Sequence, residues 1–381
     1  MNRRQFVSTS GAAAAALTTS ARPASAATPK RALMKVGADV SSDDARLKAV
    51  ARYGIKNIVS SARNADGRLY ATVDELSRMR ETAQKNGISV DVLNPPFLSA
   101  THIDVEKHPA IMLGESPQRD RDIEALQTMI KNCAAAGVPC IKYNLNMLGV
   151  LRSSRGAYPG RGDSTYNVFN LKDALAGGAI ARSARPASER RPDPPLTRAG
   201  RVTADMYWER ITYFLERVIP VAEEYKVRMA CHPHDPGLPP EGYQGVECVL
   251  ASVEGLKKFV SIKESPYHGL NFCQGTVSSM LQDPGKEVYD VIRYFGSRKK
   301  IFLVHFRNIR GRRYDFMEVD IDDGDVDMLK AMRVYKEVGY DGMLHYDHAV
   351  RASGDPGGQQ YAAFAYGYIR AVIQAADQMA G

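Results

Sequence analysis

Short apolar runs alternate along the chain with longer amphipathic stretches, and the alternation persists nearly to the C-terminus. Runs at 34–40, 55–60, 88–93, 140–145, 227–232, 270–273, 301–306 and 343–346 have the length and composition of buried strands. The stretches at 42–53, 72–85, 117–136, 204–225, 246–259, 286–295, 326–338 and 360–379 carry apolar residues at helical spacing. Thr72-Val73-Asp74-Glu75 has the form of a capping box opening the second of these helices. Gly54, Gly87, Gly137 and Gly339 each close a helix just before a strand, where a left-handed residue ends the helix cleanly. Eight strand–helix repeats predict an α/β fold, a single-domain (β/α)8 TIM barrel spanning 30–381. The rival, a doubly wound sheet, calls for a glycine-rich phosphate loop after the first strand, and 34–40 is followed by none.

One segment breaks the alternation. Between positions 151 and 202, after the fourth strand, there are ten Lys or Arg against four Asp or Glu, a net +6 of the chain's +8. The segment is rich in Arg, Gly and Pro and reads as a solvated insertion loop, either lidding the barrel mouth or hanging in solvent. It lacks the interleaved aromatic platform of a single-strand binder, so the positive charge does not imply a nucleic-acid partner. The five cysteines, Cys133, Cys140, Cys231, Cys248 and Cys273, form neither a CxxC motif nor a regular framework.

The N-terminus carries Arg3-Arg4-Gln5-Phe6, an Ala-rich weakly apolar run at 11–17, then Ala24-Ser25-Ala26. That pattern predicts a twin-arginine signal peptide over 1–26 and a periplasmic or secreted protein, with no membrane association after processing. The apolar run is too short to span a bilayer as a helix.

Barrels of this kind project active-site groups from the C-terminal ends of their strands. Cys231-His232-Pro233-His234-Asp235-Pro236 ends the fifth strand, and Cys273 ends the sixth. His305 lies at the end of the seventh and Asp347 just past the eighth. His232, Cys273, His305 and Asp347 therefore offer two imidazoles, a thiolate and a carboxylate from four successive strands. That mixture suits Mn, Fe, Co or Zn better than Ca or Mg, which prefer oxygen shells. Neighbours on a strand alternate faces, so Cys231 points away from the side His232 occupies.

The Cys231-to-Pro236 stretch, Gly269-Leu-Asn-Phe-Cys273, Val304-His-Phe-Arg-Asn308 and Gly324-Asp-Val-Asp-Met328 together resemble the mannonate dehydratase family. Ala136-Gly-Val-Pro-Cys-Ile-Lys-Tyr-Asn144 adds to the likeness, which covers essentially all of the chain after the signal. The resemblance implies a metal-dependent barrel that dehydrates D-mannonate to 2-keto-3-deoxy-D-gluconate. It places the metal ligands on His232, Cys273, His305 and Asp347, the proton-transfer residues on His348 and Tyr361, and Mn2+ or Fe2+ in the centre. The chain departs from the family pattern at His234, where a carboxylate is usual, at Ile321 in place of a His, and at Tyr366 in place of an Arg.

A sugar-acid substrate needs partners for its carboxylate and hydroxyls. Arg307, two residues past His305, is placed to pair with the carboxylate. Asn144 and Asn146 are placed to bind hydroxyls, and His234 either joins the site or faces solvent. Asp235 is expected to orient a neighbouring histidine, whereas His102, His108 and His268 read as solvated loop residues. Other readings are a metal-dependent sugar isomerase or epimerase on the same barrel, a dehydratase of another aldonic acid, and a non-catalytic sugar-acid-binding protein. A cysteine ligand weighs against the isomerase, and the complete ligand set weighs against the binding protein. A homo-oligomer is compatible with the sequence.

Overall fold

Thr72 accepts a hydrogen bond from the Glu75 backbone while the Glu75 side chain accepts from Thr72, so the capping box opens the helix Val73–Lys85 as the sequence predicts. Gly54, Gly87, Gly137 and Gly339 all take positive φ. In the computed structural model, which describes residues 31–379 apart from 62–65, 159, 178–179 and 182–195, these signals resolve into a closed barrel. The predicted signal peptide lies outside the described residues, as does part of the insertion. Among the described residues, no helix is long and apolar enough to cross a membrane.

The eight barrel strands are, in order, Lys35–Asp39, Asn57–Ser61, Ser89–Asn94, Cys140–Asn144, Arg228–His232, His268–Cys273, Ile301–His305 and Met343–His345. Each pairs in parallel with its neighbours, and the first closes on the eighth. Helices cover the outside, and most of the buried apolar residues lie between them and the strands. A second, smaller cluster joins Val59, Val92, Cys140, Ala230, Leu303 and Met343. Ala230 shares a strand face with His232, and Leu303 with His305, so these residues fill the barrel interior beneath a polar top.

Helix ends differ from expectation where a capping residue decides. The helix predicted over 246–259 is Val253–Ser261, because Ser252 accepts a hydrogen bond from Gly255 and starts it late. Likewise Asp327 caps Met328–Glu337.

The insertion is the main correction. Its described residues are folded: Ser154–Ala157 and Thr165–Asn170 pair antiparallel and continue through Asp315–Glu318 to Ile309–Arg312. A four-stranded sheet is thus built jointly by the insertion and the loop after the seventh barrel strand. Tyr166 and Phe169 bury their rings, a strand signal that the segment's Arg, Gly and Pro content obscures. Arg161 pairs with Asp322 and Asp323, and Asp163 accepts a hydrogen bond from the Ser353 backbone. These contacts fasten the insertion to the loops after strands seven and eight.

Candidate metal centre

Strand alternation directs His232, Cys273 and His305 to the inner face at the C-terminal end of the barrel. Asp347 completes the group. Its backbone is left-handed, with φ 66, and the turn brings its carboxylate 3.2 Å from Nδ1 of His305 and 3.7 Å from Sγ of Cys273. A non-glycine residue held in this conformation costs about 1–3 kcal/mol, a pattern associated with functional sites. The ligand atoms of His232, Cys273, His305 and Asp347 all lie within 4.8 Å of one another. The structure therefore assembles all four predicted ligands.

The lone pairs are arranged to suit a cation. Nδ1 of His232 is 2.6 Å from the carbonyl oxygen of Pro233, so it donates there and Nε2 keeps its lone pair. Nε2 of His305 lies 3.0 Å from the side-chain amide of Asn271. With the amide nitrogen facing His305, Asn271 Oδ1 and His305 Nδ1 are both buried without a hydrogen-bond partner. Turning the amide over lets Oδ1 accept from Nε2–H and leaves Nδ1 with its lone pair toward the other ligands. That buried nitrogen, together with the mixed nitrogen, sulfur and oxygen donor set, fits a transition-metal ion. Burial makes protonation of either ring unfavourable, pushing His232 down to about 4 and His305 well below its ordinary value. Burial also pushes the Cys273 thiol up to about 11, with Arg307 acting in the opposite direction.

A buried network of carboxylates and guanidiniums backs this group. Arg307 Nη1 donates to Glu318 at 2.7 Å, and Nη2 to Asp235 at 2.6 Å and to the Thr276 hydroxyl at 2.9 Å. Its Nε lies 3.2 Å from the Asp347 carboxylate. Arg152, from the insertion, donates to Asp235 at 2.8 and 3.1 Å and also pairs with Glu318. Burial opposes ionisation of Asp235 and Glu318, but Arg152 and its neighbours outweigh it and hold both carboxyls well below the usual range.

His348 meets the site beside this network. Its Nδ1 lies 2.7 Å from Glu318 Oε1, and its Nε2 lies 3.5 Å from the Asp347 carboxylate. A cavity of about 300 Å³ opens over the group, lined by Lys142, Asn144, His232, His305, Asp347 and His348, with Ser99 and Thr101 at one side. That volume is in the range of small-ligand sites.

Several expected roles do not survive the geometry. Arg307 is committed to protein carboxylates and does not offer a free fork to a substrate. Asn146 spends its amide in its own turn, accepting from Leu148 and Gly149 and donating to the Gly149 carbonyl. His234 neither joins the cavity nor faces solvent. Past the end of the fifth strand its buried ring packs on Tyr207 of the helix Ala204–Glu224, with Nε2 2.7 Å from the Leu145 carbonyl. Tyr361, in the first turn of Gln359–Gln378, meets Tyr346 edge to face and Phe364 at a tilt and is not among the cavity-lining residues. Asp235 holds two arginines rather than a histidine. His102 and His268 are buried, His268 within the sixth strand against Phe259. Asn144 lines the cavity.

Sequence reasoning passed over Lys142, Arg152, Asn271 and Glu318. The strand pattern contained a signal for Lys142, which alternates with Cys140 and Asn144 on the inner face. Arg152 and Glu318 stand 166 residues apart and had no local signal.

Residues 36–381 match the family model described as D-mannonate dehydratase (UxuA). A mannonate dehydratase of Thermotoga petrophila is 28% identical over 329 residues, covering 81% of this chain and 87% of that protein. Among solved structures, the mannonate dehydratase of Streptococcus suis serotype 2 superposes with a TM-score of 0.73 at 24% identity, covering 90% of this chain and 93% of the other. A xylose isomerase domain protein of Planctomyces limnophilus gives a TM-score of 0.57 at 14% identity, covering 92% of this chain and all of that one. At these identities the two structures speak for the barrel alone.

Proposed function

We propose that this chain, which belongs to the D-mannonate dehydratase (UxuA) family, removes water from D-mannonate to give 2-keto-3-deoxy-D-gluconate. The observation that carries the reading is the assembly of His232, Cys273, His305 and Asp347 into one group, with His232, His305 and Asp347 lining one cavity together with His348. Dehydration removes the weakly acidic proton beside the carboxylate and expels the neighbouring hydroxyl, so it needs a base, an acid and stabilisation of developing negative charge.

His232, Cys273, His305 and Asp347 are the residues that would hold a divalent cation, and their mixed donors suit Mn2+ or Fe2+. When bound, such an ion supplies Lewis-acid stabilisation of the charge that builds on the substrate's carboxylate side. His348 moves the proton. Its Nδ1–H is taken up by Glu318, so Nε2 is the nitrogen available on the cavity side. Asn144 offers an amide to the substrate's hydroxyls. The insertion supplies Arg152, which keeps Asp235 and Glu318 ionised beneath the site. The Arg3-Arg4 signal pattern supports export of this enzyme.

The test is to incubate the purified chain with Mn2+ and D-mannonate and look for a keto-deoxy acid with periodate–thiobarbiturate. Formation of the product supports the reading. A metal-loaded protein that yields none overturns it. The isomerase alternative is not favoured, because a thiolate ligand suits neither the all-oxygen nor the carboxylate-rich shell that such chemistry uses.

A further inference from the structure

Alternation along Cys140–Asn144 puts Cys140, Lys142 and Asn144 on the inner face of the barrel, with Lys142 in register with Ala230 and Asn144 with His232. Inner positions are normally packed apolar side chains. Cys140 and Ala230 conform, since both belong to the interior apolar cluster. Lys142 does not. An ammonium directed into a barrel costs free energy unless something offsets its charge.

Its protein partner offsets the charge only in part. Lys142 Nζ lies 3.4 Å from the Asp39 carboxylate, whose own side chain is 37% exposed. An ammonium has three donors, so donors remain for another acceptor. The side chain of Lys142 is 16% exposed and lines the same cavity as His232, His305, Asp347 and His348. Arg307 and Arg152 are buried and committed to Asp235, Glu318 and Asp347. Among the described residues that line the cavity, Lys142 is the only lysine or arginine.

We propose that Lys142 is the residue that recognises the carboxylate of the sugar-acid substrate, while Asn144, two residues on, faces the hydroxyl-bearing carbons. The assignment rests on the sugar-acid reading above and takes over the role that sequence reasoning gave to Arg307. A charge-assisted pair in a confined site is worth about 10- to 100-fold in affinity.

The test uses the Mn2+-loaded full chain, with D-mannonate kinetics and calorimetric titration of the carboxylate-bearing product, 2-keto-3-deoxy-D-gluconate. Lys142→Met is expected to raise KM and the product's Kd by about 10- to 100-fold, with kcat changed less and Mn2+ content unchanged. Lys142→Arg, which keeps the charge, is expected to recover most of the binding. Asp39→Asn separates recognition from a purely structural ion pair, because it removes the partner and leaves the cation. A product Kd in Lys142→Met within about two-fold of wild type, or a full loss of binding reproduced by Asp39→Asn, overturns the assignment. Wild-type protein that turns over no D-mannonate sinks the functional reading instead. Turnover by wild type with Lys142→Met unaffected sinks Lys142 alone.

Discussion

Glu318 Oε1 and His348 Nδ1 stand 2.7 Å apart, although 30 residues separate them in the chain. Glu318 is ionised because Arg152 and Arg307 face it, so it accepts and His348 donates. The contact fixes which imidazole nitrogen carries the proton and which meets the cavity. Glu318→Gln weakens that acceptor and the charge behind it. The expected outcome is a fall in kcat of about 10- to 100-fold with a smaller change in KM, at unchanged metal content. Steady-state kinetics on D-mannonate check it, and a kcat within about two-fold of wild type would remove Glu318 from the catalytic arrangement.

Cys273 receives hydrogen bonds from the Thr276 backbone and hydroxyl, contacts that favour negative charge on its sulfur. Cys273→Ser replaces a soft thiolate with a hydroxyl that does not ionise near neutral pH. Metal affinity is expected to fall by at least about 10-fold. Elemental analysis after dialysis against buffered Mn2+ measures this directly. Unchanged occupancy would take Cys273 out of the ligand set.

Arg152 is buried with Asp235 and Glu318, and its removal leaves Arg307 as the one guanidinium still pairing with both carboxylates. Arg152→Met is expected to destabilise the fold by about 3 kcal/mol, since breaking a buried pair strands a charge. Denaturant unfolding gives the value. Adding Asp235→Asn to the same chain is expected to recover part of the loss, as coupled neighbours do. Strictly additive losses would show that the two residues do not interact.

His268 is buried in the sixth strand, with Nε2 2.9 Å from the Phe259 carbonyl. Burial pushes it down to about 4 from an ordinary 6.5. Below 6.5 the unfolded chain takes up a proton that the folded chain refuses until about 4, so stability is lost as pH falls through that window. The loss amounts to about 3 kcal/mol at the bottom of the window. Comparing unfolding of wild type and His268→Gln at pH 7 and pH 4.5 isolates this residue. The variant should lose less stability between the two pH values, and equal losses would refute the assignment.

The repeat of strands and helices was legible because it is written locally. Alternation within Cys140–Asn144, the capping box at Thr72 and the left-handed Gly137 each depend on a few adjacent residues. The same holds for the metal ligands, since a residue at the end of a parallel barrel strand has its place set by the strand itself. His348 was reachable as Asp347's neighbour. Arg307 was misread because the sequence shows a cation near the site but not the carboxylates that already hold it.

By itself the sequence determined the barrel, its eight strands, and the identity of His232, Cys273, His305 and Asp347 as a converging group. Tertiary structure alone decided how the insertion folds onto the loop after strand seven and which charges are left to meet a ligand. It brought Arg152 to Asp235 across 83 residues and to Glu318 across 166. It also set the Tyr361 ring against Tyr346. Periodicity reports which face a side chain occupies within its own element. Whether a guanidinium is spent or an ammonium is free depends on contacts between elements distant in the chain, and these form only when the barrel closes.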